Sequence, residues 1–198
     1  MGKNQMPFYN EVVHIPPIVH SPNHSDKSGT QIRTLTQTID LMPTILSLFS
    51  VPKSSTVRGH SLLPLLGGKC DKVRSIALYG IFDGTINATD DRYTYFRYPK
   101  NMEEHPLFGY TLMPTHNRIL FKINELESAE LVCAFSCAHG VSVMKIPTMK
   151  ETNRSPRQGR FADAKTLLYE FSCDSAQNVS MRNAEVEKIM CDAIMAEM

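Results

Sequence analysis

The sequence predicts an α/β chain that ends in a small antiparallel sheet backed by a C-terminal helix. Three observations carry that expectation. Apolar residues recur at helical spacing between Leu41 and Phe49, two half-apolar runs flank Asp90-Asp91, and the chain closes on the amphipathic run AEVEKIMCDAIMAEM.

In chain order, Val12 to Val19 holds Pro16 and Pro17. Proline pushes its predecessor towards extended backbone, so the stretch reads as extended, with a short strand from Pro17 to His20. Ser21 to Gly29 (SPNHSDKSG) reads as a polar loop. A helix is expected at 41–49, capped by Asp40, with Pro43 tolerated in its first turn and Pro52 closing it. SLLPLL is a second helical turn, with Ser61 as cap and Gly67-Gly68 as its end. Ser75 to Phe82 is β-prone, and TINATDDRYTYFRY predicts a hairpin turning at Asp90-Asp91. Leu131 to Phe135, Val141 to Ile146 and Leu167 to Phe171 are further strand candidates, and 148–165 reads as a long loop. The terminal helix should present Val186, Ile189, Met190, Ala193 and Ile194 to a sheet.

Composition narrows the function classes. The 198 residues are 42% hydrophobic and 21% charged, with a net charge of +1, which is the profile of a globular chain able to bury a core. Lysine and arginine are scattered, so there is no footprint for nucleic acid or an anionic membrane. No apolar run reaches the roughly 20 residues that span a bilayer. The start lacks the basic-then-apolar layout of an export leader, and five cysteines at irregular spacing do not form a disulfide framework. A cytoplasmic location with reduced thiols is expected.

Several stretches occur in a fixed order: Gly2-Lys3 followed by Phe8-Tyr9-Asn10-Glu11, then HIPPIVHSP, TIDLMPTILSLFSV, RGHSLLPLL, DDRYTYFRYP and LLYEFSCD. Together they resemble the C-terminal part of a sulfatase of the alkaline-phosphatase superfamily, most closely over residues 1–66 and 89–98 and more faintly at 167–174. The family's usual forms are "vDl.PTll.l.gi", "dGrSLlpll", a "tdryKYi.y" hairpin and "LYDL..DP.E". This chain departs at His14 and His60, where arginine is frequent, and at Ser175-Ala176, where proline usually follows Asp174.

The resemblance implies hydrolysis of a sulfate ester. Complete members use formylglycine, made from Cys or Ser in C/S-x-P/A-x-R, and a divalent cation, usually calcium, as Lewis acid and template. Cationic side chains neutralise the sulfate oxygens. In this chain the nucleophile motif meets only near misses. Cys70-Asp71-Lys72-Val73-Arg74 lacks the proline or alanine, and Ser50-Val51-Pro52-Lys53-Ser54 lacks the arginine. No catalytic nucleophile and no metal ligand are therefore assigned. Asp90-Asp91 reads as a turn, where aspartate bonds its own backbone, rather than as the family's metal-binding pair. Lys3 matches the family's sulfate-binding lysine, a compact charge suited to an anionic oxygen. His105 and His116 fall in the variable segment where substrate pockets are decorated, and are carried as substrate-binding candidates.

Other features are set against plainer readings. Cys133, Cys137 and His139 suggest zinc, but a structural site needs four ligands, so buried thiols in an apolar strand are expected. His14 and His20 are expected to be solvated or hydrogen-bonded. Asn87-Ala88-Thr89 and Asn178-Val179-Ser180 fit the N-glycosylation sequon, without a leader to support them. Gly67-Gly68-Lys69 lacks a phosphate loop and reads as a helix stop.

The expectation is thus a sulfatase C-terminal fragment. Residues 1–66 are read as a remnant of the large α/β core, and 67–198 as the antiparallel-sheet subdomain with its terminal helix. Lacking nucleophile and metal ligands, the chain is expected to be inactive alone and to hold neither calcium nor formylglycine. In a complete enzyme the partner is a sulfated small molecule or glycan. The isolated chain is expected to self-associate through apolar surface. The alternatives are a phosphodiesterase or phosphonate-ester hydrolase of the same superfamily, or a non-catalytic remnant acting as an interaction module.

Overall fold

The computed structural model describes residues 9–80, 86–98, 108–113, 115, 120–135, 138, 140–147 and 166–197. Contacts divide the chain into two compact units.

The first unit draws its described residues from Tyr98–Thr166. Strands β4 (Phe108–Thr111), β5 (Glu130–Val132) and β6 (Val143–Pro147) form an antiparallel sheet in the order β4-β6-β5. Val143 and Ile146 are its buried residues on β6. Tyr110 packs edge-on against Phe135 at 5.1 Å, and the Lys145 ammonium sits 4.1 Å from the Phe108 ring centre. A single helical turn, α4 (Ile123–Leu126), is closed by the Glu125 carboxylate, which accepts the Lys122 N–H at 2.6 Å.

The second unit takes its described residues from Phe8–Gly80, Ile86–Arg97 and Leu167–Met198. Its four-stranded antiparallel sheet runs β1 (Ala77–Gly80), β2 (Ile86–Thr89), β3 (Tyr93–Arg97), β7 (Leu167–Glu170) in that spatial order. The hairpin forms where expected. Asp90 Oδ1 accepts the N–H groups of Arg92 and Tyr93 at 3.0 and 2.6 Å, and Asp91 takes φ +79°, which a short polar side chain tolerates.

Strand alternation gives this sheet two faces. On one, Ala88, Tyr95 and Leu168 pack with Ile76 against Met190 and Ile194 of α5 (Ala184–Glu197). Met190 and Ile194 are 1% and 0% exposed, and each such side chain contributes roughly 1.5–3 kcal/mol of burial. Ile189, expected on the same stripe, is 58% exposed. One residue is a 100° step around the helix, and Met190 already fills the sheet-facing position. On the other face, Phe96 and Tyr169 stack edge-on at 5.8 Å, and Tyr9 closes over both at 5.9 and 6.1 Å.

The N-terminal part of this unit is helical in short pieces. The short strand expected from Pro17 to His20 does not form. One turn, α1 (Asn10–Val13), forms instead, and no described residue from His14 to His20 joins a strand. The prolines restrict only the residues just before them, leaving Asn10–Val13 free to coil. Pro22–Lys27 is 3₁₀ rather than loop, kinked at His24.

Helix α2 (Leu41–Leu48) follows a 3₁₀ turn at Thr38–Asp40. It ends before Pro52: Ser50 takes φ +56°, and the Val51 N–H reaches back to the Leu46 carbonyl at 2.8 Å. Helix α3 (Leu63–Leu66) stops at Gly68, φ +69°, with Lys69 N–H on the Pro64 carbonyl. Ser61 is not its N-cap residue, which is Leu62; the Ser61 hydroxyl accepts the Leu63 N–H at 3.4 Å.

Candidate functional site

Asp40 explains why the TID and RGH motifs lie so far apart and still belong together. Its carboxylate is fully buried and does not cap α2 with its side chain, as the sequence suggested. Oδ2 accepts the Gln37 N–H at 2.8 Å, and Oδ1 accepts the His60 N–H at 2.8 Å. Arg74 completes the shell with a two-pronged approach, Nη2 to Oδ1 and Nε to Oδ2, the latter at 3.2 Å. A third donor of Arg74, Nη1, goes to Gln37 Oε1 at 2.5 Å, and Gln37 Nε2 donates to the Leu78 carbonyl of β1.

One buried ion pair therefore ties the start of α2, the Gly59-His60 corner and the first strand of the sheet. Gly59 is needed because a Cβ there would overlap the Ile39 carbonyl oxygen and stand 2.6 Å from its carbon. His60 contributes its backbone, so an exposed histidine can stand where the family has arginine.

A cleft of about 170 Å³ opens beside this clamp. Arg33, Lys72 and Arg74 line it together with Asp90 and Asp91. The aspartate pair thus shares its cleft with three cationic side chains, and one Asp90 oxygen is spent on the turn. That donor set does not fit a divalent cation, which needs several free oxygen ligands. Among the described residues no group of three or more His, Cys, Asp or Glu side chains gathers that could hold a metal ion.

The near-miss nucleophile motifs are placed by the same geometry. Arg74 is committed to Asp40, its side chain only 5% exposed, so it is no partner for Cys70. Ser50 is the left-handed stop of α2. Cys133 lies just past β5 and is exposed, against the expected buried thiol, because β5 ends at Val132 and its neighbour Leu131 is itself 77% exposed. Cys137 and His139 lie outside the described residues, as do Lys3, His105, His116 and the segment 148–165. His14 and His20 are exposed.

The described chain begins six residues after Lys3, and sequence reasoning missed how it is held. The Tyr9 ring seats on Phe96 and Tyr169, and the Asn10 N–H donates to Gln177 Oε1 at 2.6 Å. Gln177 is 3% exposed and takes φ +55° in the loop between β7 and α5. That loop is drawn in by Asp174, whose Oδ2 accepts the Val179 N–H at 2.7 Å. Hydrogen bonds from the Val179 and Asn178 backbone hold the Asp174 carboxyl below its usual range. From the hairpin turn, Arg92 donates through Nε and Nη2 to Oε1 of Glu170 on the edge strand β7 at 2.8 and 2.7 Å, lowering the Glu170 carboxyl in turn.

Residues 3–131 match the family model described as N-sulphoglucosamine sulphohydrolase, C-terminal. The chain belongs to this family. The match takes in the clamp residues Gln37, Asp40, Gly59 and Arg74 and strands β1 to β4 of this sulfatase C-terminal region, and stops within β5; β6, β7 and α5 lie beyond it. The chain is also 35% identical over 68 residues to Arylsulfatase K of Xenopus laevis, an alignment covering 34% of this chain and 12% of that protein. It thus spans about an eighth of that curated relative's length. A solved structure described under metabolism of multiple glycosaminoglycans by Bacteroides thetaiotaomicron aligns at a TM-score of 0.42 and 12% identity, over 79% of this chain and 24% of the other. Among the described residues no helix is long and apolar enough to cross a membrane.

Proposed function

We propose that the chain is the C-terminal portion of a sulfuric ester hydrolase, and that it serves as scaffold plus one anion-holding ammonium, that of Lys3. The observation that carries the reading is the family match over residues 3–131. In a complete enzyme formylglycine and a divalent cation, calcium by the resemblance, would supply nucleophile and Lewis acid. The sequence holds no C/S-x-P/A-x-R motif and the described residues gather no ligand set for a metal ion, and on this reading sequence outside this chain would supply both groups. On this reading residues 1–66 belong with a large catalytic core, and 67–198 form the smaller subdomain.

The surface of α2 supports a missing neighbour. Leu41, Met42, Ile45, Leu48 and Phe49 are 50%, 56%, 54%, 56% and 76% exposed, an apolar stripe on the solvent side. Ile15 and Ile18, in the segment ahead of it, are 71% and 97% exposed. Exposed apolar side chains concentrated along one helix in this way mark a contact site. The catalytic core would cover it in the complete enzyme, and a second copy would cover it in the isolated chain.

The substrate class proposed is a sulfated small molecule or glycan. The test is to read the coding sequence upstream of Met1 for C/S-x-P/A-x-R and an aspartate pair, and to assay the complete product. Aryl-sulfate turnover should appear there and be absent from residues 1–198 with added calcium. Lys3→Ala in the complete enzyme should lower kcat/KM by about 10²–10³, the scale of losing one preorganised donor. Metal-dependent turnover by residues 1–198 alone overturns the reading; turnover of phosphate diesters in preference to sulfate esters moves it to the neighbouring esterase class.

A further inference from the structure

We propose that Asn178 is an acceptor for an N-linked glycan and that the folded chain carries none at Asn87, the second residue with the same local signature. The inference is independent of the ester chemistry, and it departs from the cytoplasmic expectation, because transfer requires the lumen of a secretory compartment.

Both Asn87-Ala88-Thr89 and Asn178-Val179-Ser180 satisfy Asn-x-Ser/Thr with no proline between. The fold separates them. Asn87 is 0% exposed on β2, an interior strand, in register with Tyr79 on one side and Phe96 on the other. Strands stand about 4.8 Å apart, and the Tyr79 and Phe96 rings meet at 6.4 Å. Among the described residues neither side-chain atom of Asn87, Nδ2 nor Oδ1, has a hydrogen-bond partner. A sugar on that nitrogen would have to occupy the aromatic face of the sheet.

Asn178 lies in the loop between β7 and α5 and is exposed, as are Val179, at 73%, and Ser180. The left-handed Gln177 turns the chain outward there, and Asp174 fixes the turn through the Val179 N–H. A bulky substituent at this corner displaces no packed side chain, whereas at Asn87 it is incompatible with the sheet.

In the transfer, Asn178 Nδ2 bonds to the anomeric carbon of a lipid-pyrophosphate-linked oligosaccharide. The carbon–oxygen bond to pyrophosphate breaks, the lipid pyrophosphate leaves with the bonding pair, and one amide proton is lost to base. No oxidation is involved.

The test directs the full 198-residue chain into the endoplasmic reticulum of a eukaryotic host and maps peptides with and without N-glycanase. Asn178 occupancy is read on total protein, since transfer to a nascent chain does not wait for folding. Asn87 occupancy is read on the soluble fraction. Expected are a glycan at Asn178 that Asn178→Gln and Ser180→Ala each abolish, and a soluble fraction free of glycan at Asn87. An unmodified Asn178 in total protein, or a soluble form glycosylated at Asn87, overturns the proposal.

Discussion

Removing Arg74 tests whether the clamp around Asp40 holds this region together. The Asp40 carboxylate is 0% exposed and the Arg74 side chain 5%, so neither charge can turn to water. In Arg74→Met, Asp40 keeps the two N–H groups of Gln37 and His60 but loses both guanidinium bonds and the only opposite charge in its shell among the described residues. Breaking a buried pair from one side costs about 3–5 kcal/mol, because the surviving charge stays buried. In a chain this long each kcal/mol moves Tm by about 2–4 °C, so a fall of roughly 6–20 °C is expected. Asp40→Asn should cost a similar amount by stranding the guanidinium. The double variant Asp40→Asn/Arg74→Met should lose clearly less than the two singles summed, since it leaves no buried charge unpaired. The chain has no tryptophan, so unfolding is followed by far-UV circular dichroism in urea and on heating. A single-variant loss below about 1 kcal/mol, the worth of an exposed pair, or strict additivity in the cycle, would refute the buried-pair argument.

Further expectations follow from other contacts. Gly59→Ala should cost at least as much as core overpacking, about 1–3 kcal/mol, because the new methyl meets the Ile39 carbonyl backbone, which cannot swing aside; an unchanged urea midpoint would contradict it. Asn87→Leu, close in shape, should be neutral or stabilising by up to about 1–3 kcal/mol, since it removes two buried polar atoms without partners; a clear loss on thermal melting would show that the amide has work to do. The Asp174 carboxyl is held below its ordinary value by the backbone of Val179 and Asn178. Its contribution is therefore full above the unfolded value of about 3.9 and is lost as pH falls through the lower folded value. Asp174→Asn should flatten the acid limb of stability against pH, and an identical limb in the variant would refute the assignment. Ile45→Lys with Phe49→Ser should make residues 1–198 more monomeric in sedimentation, and unchanged association would place the contact elsewhere than α2.

What could be read ahead of the structure was local. The hairpin at Asp90-Asp91 announced itself because the turn and both strands lie within a dozen residues. The α5 stripe follows from periodicity, though an ambiguity of one residue, a 100° step, put Ile189 on the wrong side. Asp40 misled because its real partner is 34 residues away at Arg74, and an aspartate before a helix looks like a cap whatever else it binds. Strand β4 has a weak signature: Phe108-Gly109-Tyr110-Thr111 is paired on one side only, so its residues need not alternate cleanly. The short strand expected at Pro17–His20 fails for a related reason, since Pro16 and Pro17 fix their own surroundings and say nothing about whether a neighbouring strand exists to pair with. Of the candidate site, the family resemblance pointed to Lys3, but the aromatic seat of Tyr9 depends on β3 and β7 meeting across more than seventy residues, a coincidence no local pattern encodes.

The bond between Asn10 and Gln177 spans 167 positions. A late frameshift that swept away β7 and the loop behind it would therefore unmoor Tyr9 and Asn10 as well. Damage late in the gene would then be felt near the start of the polypeptide, at residues that the altered codons do not encode.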